Sequence, residues 1–367
     1  MKALKLSLVL ISLSVVFGCN DDGIPADPQV REYSDLFAPL PTGSFYPASN
    51  SFSVSKERLG ELLFWDPILS GDQNVACASC HHPDFGWADG RGFSVGSDGL
   101  GLGPTRSGLQ VTPLHAPTIL NVSFTGIDVA TASNSPQSDF VSGGYFWDLR
   151  ADTLEEQALG PIHNPVEMLG YNVPVQEIMN EIVMRLQAIP EYVELFDLAF
   201  ADNDAVAPAQ SITPENIAKA IATFERKIIS PATRFDEFMA GDTATFSQAE
   251  IIGLNKFIDG GCARCHSGPM LSDNQLRADE IVIGGRAVRT PSLRNMAFTA
   301  PYMHDGSHVS LRDAIAAYED RGDLQVTLDE NDFGDIETFL RTLDTVNFYA
   351  QIPESVPSGL PVGGDIR

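Results

Sequence analysis

Cysteine is scarce in this chain, with five residues in 367, and positive charge is outnumbered, with 23 Lys and Arg against 49 Asp and Glu. The formal charge of −26 argues against nucleic acid and anionic membrane surfaces as partners, since both would be repelled. Long apolar runs are missing too. Beyond residues 6–17 no stretch is apolar enough to span a bilayer, and that run falls short of the roughly 20 residues a crossing needs. Alternation of apolar and polar residues, the mark of half-buried strands, is rare. Apolar content is plentiful at 43%, enough for packed cores.

The start reads Met1-Lys2-Ala3-Leu4-Lys5, then the apolar run, then Gly18-Cys19. Lysines, a short apolar core and a small residue describe a secretory signal. Val16-Phe17-Gly18-Cys19 resembles a bacterial lipobox, which would make Cys19 the lipidated first residue of an exported, periplasmic, membrane-anchored protein. Ordinary cleavage near Gly18, with Cys19 free, is the alternative. Residues 1–18 are read as the leader and 19–50, rich in Asp, Pro and Ser, as a tether.

The other four cysteines stand in two copies of one motif, Cys77-Ala78-Ser79-Cys80-His81 and Cys262-Ala263-Arg264-Cys265-His266. Cys-x-x-Cys-His is the attachment signature of a c-type haem. Two thiols on one turn can form thioethers to the vinyl groups of one porphyrin, and the adjacent imidazole then lies under the iron. Structural zinc would set two cysteine pairs about 15–20 residues apart, whereas these pairs lie in opposite halves of the chain. A thioredoxin-like redox pair has no need of His81 or His266. The reading is two covalently bound haems c.

Two such motifs favour two domains, each wrapped on its own haem. The spacing predicts helices over 55–65, 153–160, 174–189, 191–200, 214–229, 247–259, 310–320 and 329–343. Thr213-Pro214-Glu215 is a helix start, with Thr213 as N-cap and Pro214 at the first position. Residues 83–145, rich in Gly, Ser, Thr and Pro, read as a long loop region on a cofactor. The fold class is therefore mainly α, two cytochrome c-like domains with long loops. Residues 51–212 form the first, 213–345 the second, and 346–367 a tail packing back on the first.

Further blocks surround the motifs. Upstream come Tyr145-Phe146-Trp147-Asp148-Leu149-Arg150, Leu154-Glu155-Glu156-Gln157-Ala158, Pro161 and Asn164-Pro165-Val166-Glu167-Met168. Downstream come Arg289-Thr290-Pro291-Ser292-Leu293-Arg294-Asn295 and Thr299-Ala300-Pro301-Tyr302-Met303-His304-Asp305-Gly306. Over residues 55–345 the sequence resembles the bacterial di-haem cytochrome c peroxidase family, including its MauG-like branch.

The resemblance implies that the first haem, on His81, is peroxidatic, with Gln157, Pro161 and Glu167 on its open face. A carboxylate there can take a proton from the inner oxygen of peroxide and return it to the outer one; the alternative for Glu167 is a surface or capping acid. Many family members hold a loop histidine on this iron until the second haem is reduced. Residues 83–112 contain no histidine, His82 is too close in sequence, and only His115 is a nearby candidate. The expectation is an open position and no reductive activation.

For the second haem the resemblance gives His266 as proximal ligand. Where electron-transfer members place a ligating Met, this chain has Tyr318, the MauG-like feature; Met303 is the alternative. Trp147 matches the tryptophan between the haems, against the alternative of a core Trp. Asn121, Thr299 and Pro301 match a Ca²⁺ site built from hard oxygens. His304 matches a residue near the inter-haem region, and His163 and His308 read as surface residues. One departure counts against a MauG-type protein substrate: Gly260 stands where MauG has a Trp that draws electrons from its partner.

Three readings follow from the resemblance. The first is a peroxidase reducing hydrogen peroxide, fed by a small cytochrome c or cupredoxin. The second is a MauG-like enzyme oxidising Trp or Tyr of a partner protein, and the third a non-enzymatic electron carrier. The family also leaves a homodimer open.

Overall fold

The computed structural model describes residues 32–129, 144–200, 209–277, 287–319 and 325–367. The leader and Cys19 lie outside the described residues. No helix among the described residues is long and apolar enough to cross a membrane.

The chain is mainly helical. Helix α1 (Val54–Trp65) starts where the Ser53 side chain accepts from the Lys56 N–H, and Asp66-Pro67 stops it. Then come α2 (Leu154–Leu159), α3 (Ile178–Gln187), α4 (Pro190–Ala199) and α5 (Pro214–Lys227), the last capped by Thr213. Helix α6 (Arg234–Met239) is absent from the sequence expectation, because six residues carry too little periodicity to read; its signal is the Thr233–Asp236 capping box. Helix α7 (Gln248–Asp259) leads into the second motif. Strands β1 (Leu276–Arg277) and β2 (Val288–Arg289) form a short antiparallel pair, with Leu276 opposite Arg289. Helices α8 (Leu311–Ala316) and α9 (Glu330–Leu340) follow. Helix α8 is shorter than the expected 310–320, so Tyr318 falls in the turn after it.

Two large apolar cores result. In the first, α1 crosses α5, burying Leu59, Leu63 and Phe64 with Ile217, Ile221 and Phe224, and α3 and α4 add Ile182 and Phe196. In the second, α7 crosses α9, burying Leu254 and Phe257 with Ile336 and Phe339. Each fully buried Leu or Phe contributes about 1.5–3 kcal/mol. Both crossings use a glycine for close approach. A Cβ on Gly60 would fall 1.9 Å from the Ala220 carbonyl oxygen, and one on Gly253 2.1 Å from that of Asp335.

The packing groups the chain differently from the boundary at 213. The apolar face of α5 is buried against α1, so this helix builds the first core. Tyr33 and Phe37, from the stretch read as a tether, are buried in the second core. The tail 346–367 lies on the first core through Tyr349, Leu360 and Val362. Trp87 Nε1 donates to the Tyr349 carbonyl (2.8 Å), and Gly363 N–H to that of Trp65 (2.7 Å).

Between α1 and residue 128 the described chain has only single 3₁₀ turns and isolated bridges. Side chains replace the missing ladders. Buried Arg106 donates to the carbonyls of Val95 (2.7 Å), Gly96 (2.8 Å) and Gly101 (2.9 Å), which folds 95–106 into a compact loop.

Candidate active site

Each haem motif forms one 3₁₀ turn, Cys77–Ser79 and Cys262–Arg264, with the histidine N–H bonded back to the first cysteine's carbonyl. The first turn is pinned by Ser79, whose hydroxyl accepts from the Ala76 N–H (3.0 Å) and donates to the Gly363 carbonyl of the tail (2.8 Å). His81 Nδ1 donates to the Trp87 carbonyl (3.2 Å) and His266 Nδ1 to that of Leu271 (3.0 Å). Those bonds leave each Nε2 as the ligating atom. Burial holds both imidazoles below the ordinary histidine range, hence neutral.

Each motif opens on its own cavity, of about 330 Å³ at the first and about 230 Å³ at the second. Cys77, Cys80 and His81 line one; Cys262, Cys265 and His266 line the other. Burial pushes the Cys80 and Cys262 thiols up to about 12, with Cys77 also raised. Such thiols are poor thiolate ligands and suit neutral thioethers in an apolar wall. The residues present fit a covalent haem at each motif.

The first cavity collects the polar residues. Gln157 on α2, Pro161 and Glu167 all line it with His81. Glu167 sits on a π-type turn, Pro165–Leu169, a rare conformation that is frequent at functional sites. Asn164 starts that turn: its side chain accepts from the Val166 N–H (3.1 Å), and its carbonyl from the N–H groups of Glu167, Met168 and Leu169. Burial raises the Glu167 carboxyl above its ordinary value, opposed by the charge of Arg150 and a bond from Asn164. The turn is pressed by Gly96, where a Cβ would fall 2.0 Å from the Val166 carbonyl oxygen and 2.3 Å from that of Glu167. Glu225 on α5 lines the same cavity; burial pushes it up to about 8, and its Oε2 has no partner among the described residues.

The second cavity is more apolar. Phe257, Leu311, Ile315, Leu328, Ile336 and Leu340 line it, together with both Tyr318 and Met303. Tyr318 is held by its N–H on the Ile315 carbonyl (3.0 Å). Gly260 is buried against Leu328, whose Cδ2 a Cβ there would meet at 2.5 Å.

Trp147 lines both cavities, as do His115 and Arg289. Trp147 Nε1 donates to the His115 carbonyl (2.8 Å), and its ring meets that of His304 edge-on at 6.5 Å. His304 is buried and its Nδ1 has no partner among the described residues. The His115 Nδ1 is bonded to the Arg91 carbonyl. His82 lines neither cavity; its Nδ1 accepts from the Asp84 N–H (3.2 Å) as a turn cap. His163 is exposed and His308 half-buried.

Asn121, the amide matched to calcium, is placed against Ser230. Asn121 Oδ1 already accepts from the Ser230 N–H (2.8 Å) and hydroxyl (3.2 Å), and its Nδ2 faces the same hydroxyl (3.0 Å). The Asn121 amide is thus engaged by Ser230 in this structure. Thr299 and Pro301 line the second cavity without Asn121.

Sequence reasoning missed Gly96, Glu225 and the place of Arg289. Nothing local marks the first two. Arg289 stands in a recognisable block but carries no role there.

The model of the di-haem cytochrome c peroxidase family matches residues 54–244. A cytochrome c551 peroxidase of Nitrosomonas europaea is 32% identical over 306 residues, covering 78% of each chain. The methylamine utilization protein MauG of Methylorubrum extorquens is 31% identical, over 81% of this chain and 80% of that one. A crystal structure of a MauG-like protein associated with microbial copper homeostasis superposes with a TM-score of 0.65 at 26% identity, covering 84% of this chain and 95% of that one. The chain belongs to the di-haem cytochrome c peroxidase family, whose members are peroxidase-type oxidoreductases.

Proposed function

We propose that this protein reduces hydrogen peroxide to water at the first haem. Two electrons and two protons convert one peroxide to two waters. The electrons come from a small cytochrome c or cupredoxin through the second haem and Trp147. The observation that carries this reading is that Gln157, Pro161 and Glu167 share one cavity with Cys77, Cys80 and His81. The iron supplies the redox chemistry when haem is bound. Glu167, half-buried and with its carboxyl raised above the ordinary value by burial, can in its ionised form accept a proton from the inner peroxide oxygen and deliver it to the outer. Gln157 offers an amide to orient the peroxide. Trp147, in the wall of both cavities, supports a path between the haems. His115 lines both cavities with its Nδ1 on the Arg91 carbonyl, and the proposal gives it no ligand role.

A second reading, MauG-like oxidation of a partner protein, is favoured by Tyr318, which lines the second cavity and is read here as its distal ligand. Gly260 argues against the MauG route of entry, because it carries no aromatic side chain and a Cβ there would have to displace Leu328 and press on the Lys256 carbonyl. Calcium is no part of the proposal. Export on a lipid anchor at Cys19 belongs to it, resting on the N-terminal sequence.

Steady-state turnover with a reduced cytochrome c tests the peroxidase reading. Glu167→Gln should lower it roughly 10²-fold, as loss of a general acid–base group does. Unchanged turnover would remove Glu167 from the mechanism.

A further inference from the structure

Arg289 lines both cavities, and among the described residues it is the only arginine or lysine to do so. Its backbone is locked. Val288–Arg289 is strand β2, and the Arg289 N–H donates to the Trp147 carbonyl at 2.7 Å. Its guanidinium is not satisfied. Nη1 donates to Asn274 Oδ1 (3.1 Å), while Nε is shielded and has no partner among the described residues.

Arg289 is half-buried, and the fully buried arginines differ from it. Arg294 forks onto Asp236 (2.8 and 3.0 Å), and Arg226 onto Glu155 (2.6 and 3.0 Å). Arg106 is enclosed by carbonyls. No carboxylate of the described chain pairs with Arg289, and burial pulls its guanidinium down to about 10, offset only by Tyr145. A donor shielded from water without a partner is costly, and here no counter-charge offsets it. The fork is therefore built for an anion that the polypeptide does not supply.

Each haem carries two propionate carboxylates, and a guanidinium is suited to bind carboxylates two hydrogen bonds at a time. The remaining arginines at these cavities have carboxylate partners: Arg150 pairs with Asp148 at the first, and Arg277 with Asp273 at the second, although the Arg277 Nε also has no partner among the described residues. We infer that Arg289 is a shared counter-cation, binding a propionate of the first haem and one of the second from the wall between them. It is a positioning residue. It fixes the facing edges of the two macrocycles beside Trp147, and its charge biases both irons towards the reduced state.

The test is a spectroelectrochemical titration of the holoprotein, with resonance Raman spectra of the propionate bending bands. Arg289→Met should lower both reduction potentials, because removing a nearby cation disfavours the added electron. Arg289→Lys should restore most of both potentials while shifting the propionate bands of both haems, since the charge stays and the fork is lost. A haem-loaded Arg289→Met protein in which either potential is unchanged overturns a shared role. Should Arg289→Met fail to mature, Arg289→Lys decides alone: displaced bands on both haems support the inference, and wild-type bands on either overturn it. None of these readouts depends on peroxide turnover.

Discussion

The two cradles start alike and end differently. Each is a Cys-x-x-Cys-His turn beside a crossed helix pair, α1 with α5 and α7 with α9, with Gly60 and Gly253 allowing the close approach. The first then gathers Gln157, Glu167 and Glu225 into its cavity. The second gathers aliphatic side chains, a phenol and a thioether. Proton transfer needs titratable groups held near neutrality, whereas electron storage needs a dry site and a chosen axial ligand. On the proposed reading one framework would supply two jobs, separated by the residues that line each cavity. Trp147 and Arg289 form part of the wall the two sites share.

The contrast is broken most severely by paired substitutions. Glu167→Gln should slow the reaction of the first haem with peroxide roughly 10²-fold. Tyr318→Phe should leave that step unchanged and alter the absorption spectrum of the second haem. Stopped-flow mixing with peroxide measures both, and equal losses in the two variants would erase the division of labour. Gly96→Ala comes next. Its Cβ must displace the backbone that carries Glu167, costing about 1–3 kcal/mol in stability as overpacking does. Chemical denaturation gives the stability, and turnover should fall with it. Gly43, where an added Cβ would meet nothing within 4 Å, is the control position for alanine.

Smaller effects sharpen the comparison through pH. Glu167 must be ionised to accept a proton, so activity should fall as pH drops through its raised pKa. Arg150 opposes that rise, so Arg150→Gln should move the acid limb of the profile to higher pH. Glu225 reports the same environment through stability. Its folded pKa of about 8 lies above the ordinary 4.5, so the folded state holds a proton that the unfolded state releases. Stability should therefore decline as pH rises from about 4.5 to 8, and Glu225→Gln should flatten that slope in thermal melts.

The haem motifs are legible in the sequence because thioether chemistry fixes the spacing of three residue types within five positions. The long helices are legible through period and caps, as at Thr213-Pro214. Glu167 and Trp147 are legible only through resemblance. Nothing in Asn164-Pro165-Val166-Glu167 alone distinguishes a cavity acid from a capping one. Gly96 and Glu225 are illegible, since each acquires its meaning from segments far away in sequence. The division of the cores escapes a sequence reading for the same reason. Helix α5 follows a plausible boundary, yet its apolar face matches α1, more than a hundred residues earlier. Tyr318 lies beyond a helix that ends at Ala316, short of the expected 320, and the turn still brings it to the second cavity.

The most direct measurement is the electron paramagnetic resonance spectrum of the resting di-ferric protein, recorded before and after one equivalent of peroxide. A first iron open to substrate gives a high-spin ferric signal that is lost on addition, without prior reduction of the second haem. Two low-spin signals indifferent to peroxide would show a sixth ligand on the first iron, with His115 the nearest candidate, and would contradict the assignment of that cradle as the peroxide site.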